Sequence, residues 1–141
     1  MPPTPAPSVT GVFHPAHARA EIDAVEHAVL EAVAKFDYPE ASKFALRVAL
    51  EEAMVNAFLH GHRGLPPDVR IDVHYTVSPD TITIAVTDHG VGFTPHEVPD
   101  PTSDENLELP SGRGLMLIQA YMSDVRHELN GRRIVMVYTR P

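Results

Sequence analysis

From Val69 to Val77 apolar and polar residues alternate without a break: Val69, Ile71, Val73, Tyr75 and Val77 against Arg70, Asp72, His74 and Thr76. A period of two places the first set on one side of a strand and the second on the other, so the segment lays one face on a core and offers the other to water. Thr81–Thr87 repeats the pattern through Ile82, Ile84 and Val86, and Ser78-Pro79-Asp80 between the two runs is turn-forming. The pair is expected as an antiparallel hairpin. Its inner face needs a covering layer, and that requirement organises the rest of the chain.

Helices supply the cover. Between Ala16 and about Phe36, Ile22, Val25, Val29, Ala32 and Val33 recur at helical spacing, with His14-Pro15 as entry and Asp37-Tyr38-Pro39 as stop. A second helix is expected from near Ala41 or Ser42 through RVALEEAMVNAFLHGHR to His60-Gly61, where Gly61 suits a left-handed C-terminal position. At ~100° per residue, Ala45, Val48, Ala49 and Leu59 share one face, and Lys43, Arg47 and Glu51 lie opposite. Glu52 and Asn56, one turn apart, fall in the middle of the apolar face. A carboxylate and an amide placed there must find partners or bind something.

Around this centre, residues 1–8 form a proline-rich tail, Val9–Phe13 a short strand, and His62–Asp68 a loop. The second hairpin strand runs directly into Asp88-His89-Gly90-Val91-Gly92-Phe93. Thr94–Pro110 carries four prolines and many acidic residues without periodicity, as expected of a lid or an insert. Ser111-Gly112-Arg113-Gly114 opens a helix over Leu115–Met122 with Leu117, Ile118 and Tyr121 on one face. Asp124–Leu129 and Arg133–Thr139 then close a hairpin across Asn130-Gly131, expected as a two-residue turn. The order implies a single domain over residues 9–141. Its expected form is a two-layer α/β (α+β) sandwich, a mostly antiparallel mixed sheet with helices on one face.

Composition narrows the function. A length of 141 residues with 43% hydrophobic and 21% charged residues is that of a folded domain. The formal net charge of −8 argues against binding a nucleic-acid backbone, which needs a basic footprint. There is no cysteine, hence no disulfide or cysteine-ligated metal. No apolar run approaches the ~20 residues of a membrane span and no signal-peptide pattern opens the chain, so a cytoplasmic location and no membrane partner are expected. Nine histidines invite a metal reading, but His14/His17 and His60/His62 lack a third ligand at supportive spacing. Neither a phosphate-binding GxxxxGK[ST] loop nor a GxSxG nucleophile motif occurs.

Three groupings remain: Glu52…Asn56 on a helix, Asp88-x-Gly90-x-Gly92 at a strand end, and Gly112-x-Gly114 at a helix start. Each alone has a plain structural explanation. In this order, with a long lid between the last two, they resemble the three nucleotide boxes of the GHKL (Bergerat-fold) ATPases. The stretches ALEEAMVNAFLHG, VTDHGVGF and SGRGLMLIQAYMSDV are similar to those of the anti-sigma-factor serine-protein kinases of bacterial partner-switching systems. The resemblance runs from roughly Ala16 to the C-terminus.

The resemblance implies ATP and Mg²⁺ as cofactors. It gives Asn56 as the Mg²⁺ ligand, Glu52 as the catalytic general base, and Asp88 as acceptor of the adenine amino group. Gly90, Gly92 and Phe93 would border the nucleotide, and Gly112, Arg113, Gly114 and Leu115 would hold its phosphates at a helix N-terminus. His60 matches a histidine usual after this Asn, with helix capping as its structural role. Two features depart from the family pattern. Pro110 stands where some members carry an arginine, and Arg132-Arg133 follow Gly131 where many have a threonine supporting the adenine aspartate. The implied activity is phosphorylation of a STAS-domain anti-sigma-factor antagonist on serine or threonine, by a protein that also sequesters a sigma factor or equivalent regulator and commonly forms a homodimer. A nucleotide-gated binding module without catalysis, and a stand-alone histidine-kinase-type catalytic domain, are the rival readings. The sequence contains no helix recognisable as carrying a phospho-acceptor histidine.

Overall fold

Strand β1 (Val9–Phe13) pairs with β2 (Asp72–Val77), β2 with β3 (Thr81–Thr87), β3 with β5 (Arg133–Thr139), and β5 with β4 (Asp124–Glu128). Every pairing is antiparallel, so the parallel component of the expected mixed sheet is absent among the described strands. The computed structural model describes residues 7–66, 68–90 and 110–141, with side chains in the last segment from Gly114 onward. The sequence readings for residues 1–6, for Gly92 and Phe93, and for the lid as far as residue 109 lie outside the described residues.

The hairpin forms as its alternation dictates. Val73, Tyr75 and Val77 face inward opposite Val86, Ile84 and Ile82, and all six are buried. The expected start of β2 was Val69, three residues early. β3 ends at Thr87 opposite Asp72, and the Asp88 amide turns to the Arg132 carbonyl (2.8 Å). Ile71, with no strand opposite, donates its amide to the Pro15 carbonyl instead (3.1 Å) while its side chain stays buried.

The helices α1 (Arg19–Lys35), α2 (Glu40–Asn56) and α3 (Pro110–Tyr121) form the second layer. Ile22, Val25, Val29 and Val33 of α1 join Leu46, Leu50 and Met54 of α2 and Ile118 of α3 over the inner face of the sheet, in one continuous core. Polar pins fix the layers. The Ser42 and Tyr138 hydroxyls hydrogen-bond at 2.7 Å, tying the start of α2 to β5, and Tyr38 donates to the Ser78 carbonyl at 2.8 Å. Arg140, just past β5, lies 4.4 Å from the Tyr38 ring centre and donates to the carbonyls of Phe36, Asp37 and Pro79. No helix among the described residues is long and apolar enough to cross a membrane.

Three local expectations are corrected. The helical path of α2 does not stop at a left-handed glycine. It continues as a π-helical turn over Ala57–Gly61, and among the described residues the glycines with positive φ are Gly64 and Gly131. Leu59, in this turn, is exposed (43%); within α2 Val48 is half-buried, and the core line is Ala45, Leu46, Ala49, Leu50, Ala53 and Met54. The closing hairpin pairs Glu128 with Arg133, which makes its connection four residues long instead of two. Leu129, Asn130 and Gly131 all take positive φ (52°, 57° and 84°), a left-handed run that a two-residue turn does not require. The inward line of α3 is Gly114 and Ile118, continued by Met122 just past its end, while Tyr121 lies at the surface with its ring T-shaped to Phe44.

Candidate functional site

Glu52 and Asn56 occupy successive turns at the C-terminal end of α2, both half-buried. They do not sit in the middle of the core face, as the helical projection indicated, but on its rim, where α3 crosses. The contact is at backbone level: a Cβ on Gly114 would fall 2.7 Å from Asn56 Nδ2 and 2.9 Å from Glu52 Oε2. α3 begins at Pro110 and not near Leu115, so Gly112 lies in the first turn and Gly114 just past it. Gly112 keeps the expected place among amides without an intrahelical acceptor. Gly114 instead lets the helix rest directly on the two polar side chains. The side chain of Arg113 is outside the described residues, and Leu115 is half-buried.

Asn56 Oδ1 is buried and meets no hydrogen-bond donor among the described residues. An orphaned carbonyl oxygen is costly unless something fills its lone pairs. A hard cation does so with a favourable neutral-oxygen ligand, and Mg²⁺ is ordinarily held by only one or two protein oxygens plus substrate phosphates and water. The site therefore fits the ion. No cluster of three or more His, Asp or Glu capable of holding a metal occurs among the described residues.

Asp88 stands across the π-helical turn, at the point where β3 ends. Its carboxyl is buried (6% exposed). Oδ1 accepts the Gly90 amide at 2.8 Å, and a Cβ on Gly61 would lie 2.3 Å from Oδ2. Gly90 is pressed still closer, since a Cβ there would fall 1.6 Å from the Gly61 carbonyl oxygen. The glycine that the sequence marks as a helix stop is thus required by contact with the Asp88 side chain. Burial raises the Asp88 carboxyl above its ordinary range, opposed by the Gly90 amide and by the charges of His62, Arg132 and His89. Burial likewise lowers His60, with Arg63 adding to the effect.

The structure brings Gly114 onto Glu52 and Asn56 at the end of α2, and Gly90 onto Asp88 beside the π-helical turn that follows. It adds residues that were not singled out. His62, buried, accepts the His89 amide through Nε2 at 2.9 Å. Asp72 receives two imidazoles, His14 Nδ1 at 2.7 Å and His89 Nε2 at 3.2 Å. The hairpin register held a signal for Asp72, because pairing it with Thr87 puts it beside the segment that follows. His62 had none, being one histidine among nine in a loop rich in glycine and proline.

Comparison with known proteins covers most of the chain. The family described as "Histidine kinase-like ATPase domain" matches residues 15–138. The serine-protein kinase RsbW of Listeria monocytogenes serotype 4a (strain HCC23) is 31% identical over 90 residues, which cover 57% of this chain and 55% of the relative. The anti-sigma F factor of Halalkalibacterium halodurans is 25% identical over 96 residues, covering 67% of this chain and 65% of the relative. The chain spans a little over half the length of these curated relatives.

Proposed function

Because the chain belongs to the histidine kinase-like ATPase domain family, we propose that it binds ATP between Asp88 and the end of α2 and transfers the γ-phosphoryl group to a protein serine or threonine. The observation that carries this reading is the convergence of a carboxylate, an orphaned amide oxygen and a buried second carboxylate around a glycine-packed crossing of α2, the π-helical turn and the β3 end. With Oδ1 engaged by Gly90, Oδ2 of Asp88 is the acceptor for the exocyclic amino group of adenine; guanine offers a carbonyl there and would be repelled. Asn56 Oδ1 would hold Mg²⁺, which supplies charge neutralisation for the phosphates. The first turn of α3, whose amides have no intrahelical acceptor, would seat the phosphates.

In the transfer, the attacking hydroxyl oxygen forms the new bond to the γ-phosphorus as the bond to the β-phosphate oxygen breaks and ADP leaves. Glu52 accepts the hydroxyl proton. The names of the similar proteins, a serine-protein kinase and an anti-sigma F factor, support serine or threonine as acceptor and a sigma factor or equivalent regulator as the protein held. The acceptor protein proposed is a STAS-domain antagonist, met by a cytoplasmic homodimer.

Glu52→Gln tests the assignment. Glutamine keeps volume and helix propensity but takes no proton, so phosphorylation should fall by ~10²–10⁴ while ATP affinity changes little. Incubation with ATP, Mg²⁺ and antagonist, assayed for acid-stable phosphoserine or phosphothreonine, gives the readout; near-normal transfer removes Glu52 from the role. The Gly114 backbone packs closely on a half-buried Glu52, which makes the non-catalytic module the second reading. Partner binding that depends on ATP, without phosphorylation by the wild type, would decide for the module, and acid-labile phosphate on a partner for the histidine-kinase reading.

A further inference from the structure

The segment bearing Asp88 is fixed by three consecutive amides, each with its own acceptor. The Asp88 amide goes to the Arg132 carbonyl at 2.8 Å, the His89 amide to His62 Nε2 at 2.9 Å, and the Gly90 amide to Asp88 Oδ1 at 2.8 Å. The middle acceptor is a neutral ring nitrogen, which a proton turns from an acceptor into a donor. We propose that His62 is a positioning residue for the nucleotide base: its neutral imidazole, with the proton on Nδ1, sets the Asp88 carboxylate through the His89 amide, and ATP binding requires that uncharged form. The proposal rests on the nucleotide reading above.

The ring is well placed for this. The His62 amide donates to the Ala57 carbonyl at 2.9 Å, which anchors the residue to the π-helical turn below Asn56. Phe58 meets the ring edge-on (centroids 6.1 Å, interplanar angle 76°), and His17, stacked on Phe58 at 4.6 Å, lines the same cavity as the His62 ring. With Nε2 accepting from the His89 amide, the proton of the neutral ring sits on Nδ1, and a hydrogen bond of the ring to the Val69 backbone favours the charged form. One side chain thus joins the end of α2, the loop before β2 and the adenine aspartate. A proton on Nε2 would set a donor against the His89 N–H and release the middle amide.

The charged and titratable groups facing the ring are Asp88, which favours protonation, and His89, which opposes it; Arg63 follows in the chain and Arg132 stands beyond Asp88. Burial dominates and keeps the imidazole neutral to a lower pH than an ordinary histidine. The sign follows. ATP affinity is flat above the ordinary imidazole range and falls as pH drops through the lowered value.

The test compares wild type, His62→Gln and His62→Phe, with thermal unfolding confirming that each is folded. Gln presents an acceptor at the position of Nε2 and does not titrate; Phe fills the space without an acceptor. By calorimetry with ATP–Mg²⁺ at about pH 7.5, the Phe variant should bind at least about tenfold more weakly and the Gln variant within about threefold of wild type. Toward about pH 5.5 wild type should lose affinity relative to Gln, a comparison that cancels titration of ATP itself. Hydrogen exchange at the His89 amide should accelerate in Phe and not in Gln. Wild-type affinity in the Phe variant, or parallel pH profiles for wild type and Gln, overturns the role of His62 and leaves the nucleotide site standing. A wild type that does not bind ATP overturns the nucleotide reading and this proposal together.

Discussion

Asp88 illustrates how much one carboxylate depends on the backbone around it. Its burial is tolerated because Oδ1 takes the Gly90 amide and because Gly61 and Gly90 have no Cβ to push it out. Asp88→Asn keeps the Oδ1 contact but puts an amide donor where the adenine amino group would donate. ATP affinity should fall by roughly a hundredfold with the thermal midpoint little changed, since a donor facing a donor costs about 1–3 kcal/mol or more when it replaces a charged acceptor. Calorimetric titration checks this, and unchanged affinity would remove Asp88 from the base site. Glu52, Asn56 and Asp88 were legible through their order and spacing together, which resemble the nucleotide boxes of a known family, and not through any one of them alone. His62 was not, because a histidine in a loop contradicts nothing, and Asp72, on a solvated strand face, was signalled only by the register that sets it opposite Thr87.

At the scale of elements, α1 and α2 are joined by a charge cluster next to the site. Arg19 reaches Asp23 at 2.8 Å, Glu26 at 3.1 Å and Glu51 at 2.6 Å. Glu26 is nearly buried, and its carboxyl is pushed up to about 7, first by burial and then by Glu51, with Arg19 opposing. A carboxyl raised from 4.5 holds a proton that the unfolded chain has released, so its share of stability is full below about 4.5 and is lost as pH rises to about 7. Glu26→Gln mimics the protonated form and should flatten that decline, gaining over wild type at about pH 8 and matching it near pH 4.5. Denaturant unfolding at both values measures it; parallel profiles for the two proteins would show that Glu26 is not the titrating group. The elements themselves were legible to within a few residues where hydrophobic periodicity runs long, as in α1 and the β2–β3 hairpin. The π-helical turn was not, because one widened turn of five residues leaves no periodic trace. The β4–β5 connection was misread because Asn130-Gly131 signals positive φ without saying that Leu129 shares it.

For the molecule as a whole, α2 carries both the core and the site: Leu46, Leu50 and Met54 point into the sheet while Glu52 and Asn56 line the rim. A ligand held at its end therefore stabilises the entire cooperative unit and not a local patch. ATP with Mg²⁺ at a hundred times its dissociation constant should raise unfolding stability by about 2.7 kcal/mol, visible as a shift of several degrees in the thermal midpoint. Chelating the magnesium should remove part of that gain. Asn56→Ala isolates the ion's share. Without nucleotide the substitution should leave stability unchanged or slightly raised, because it deletes a buried oxygen with no donor among the described residues. With ATP present, adding Mg²⁺ should no longer raise the midpoint beyond what ATP alone achieves. An ordinary structural asparagine would behave in the opposite way, losing stability without ligand and keeping the magnesium increment. Melting curves of the two proteins under the three conditions—no ligand, ATP with chelator, ATP with Mg²⁺—tell these apart, and a retained magnesium increment in the alanine variant would place the cation elsewhere.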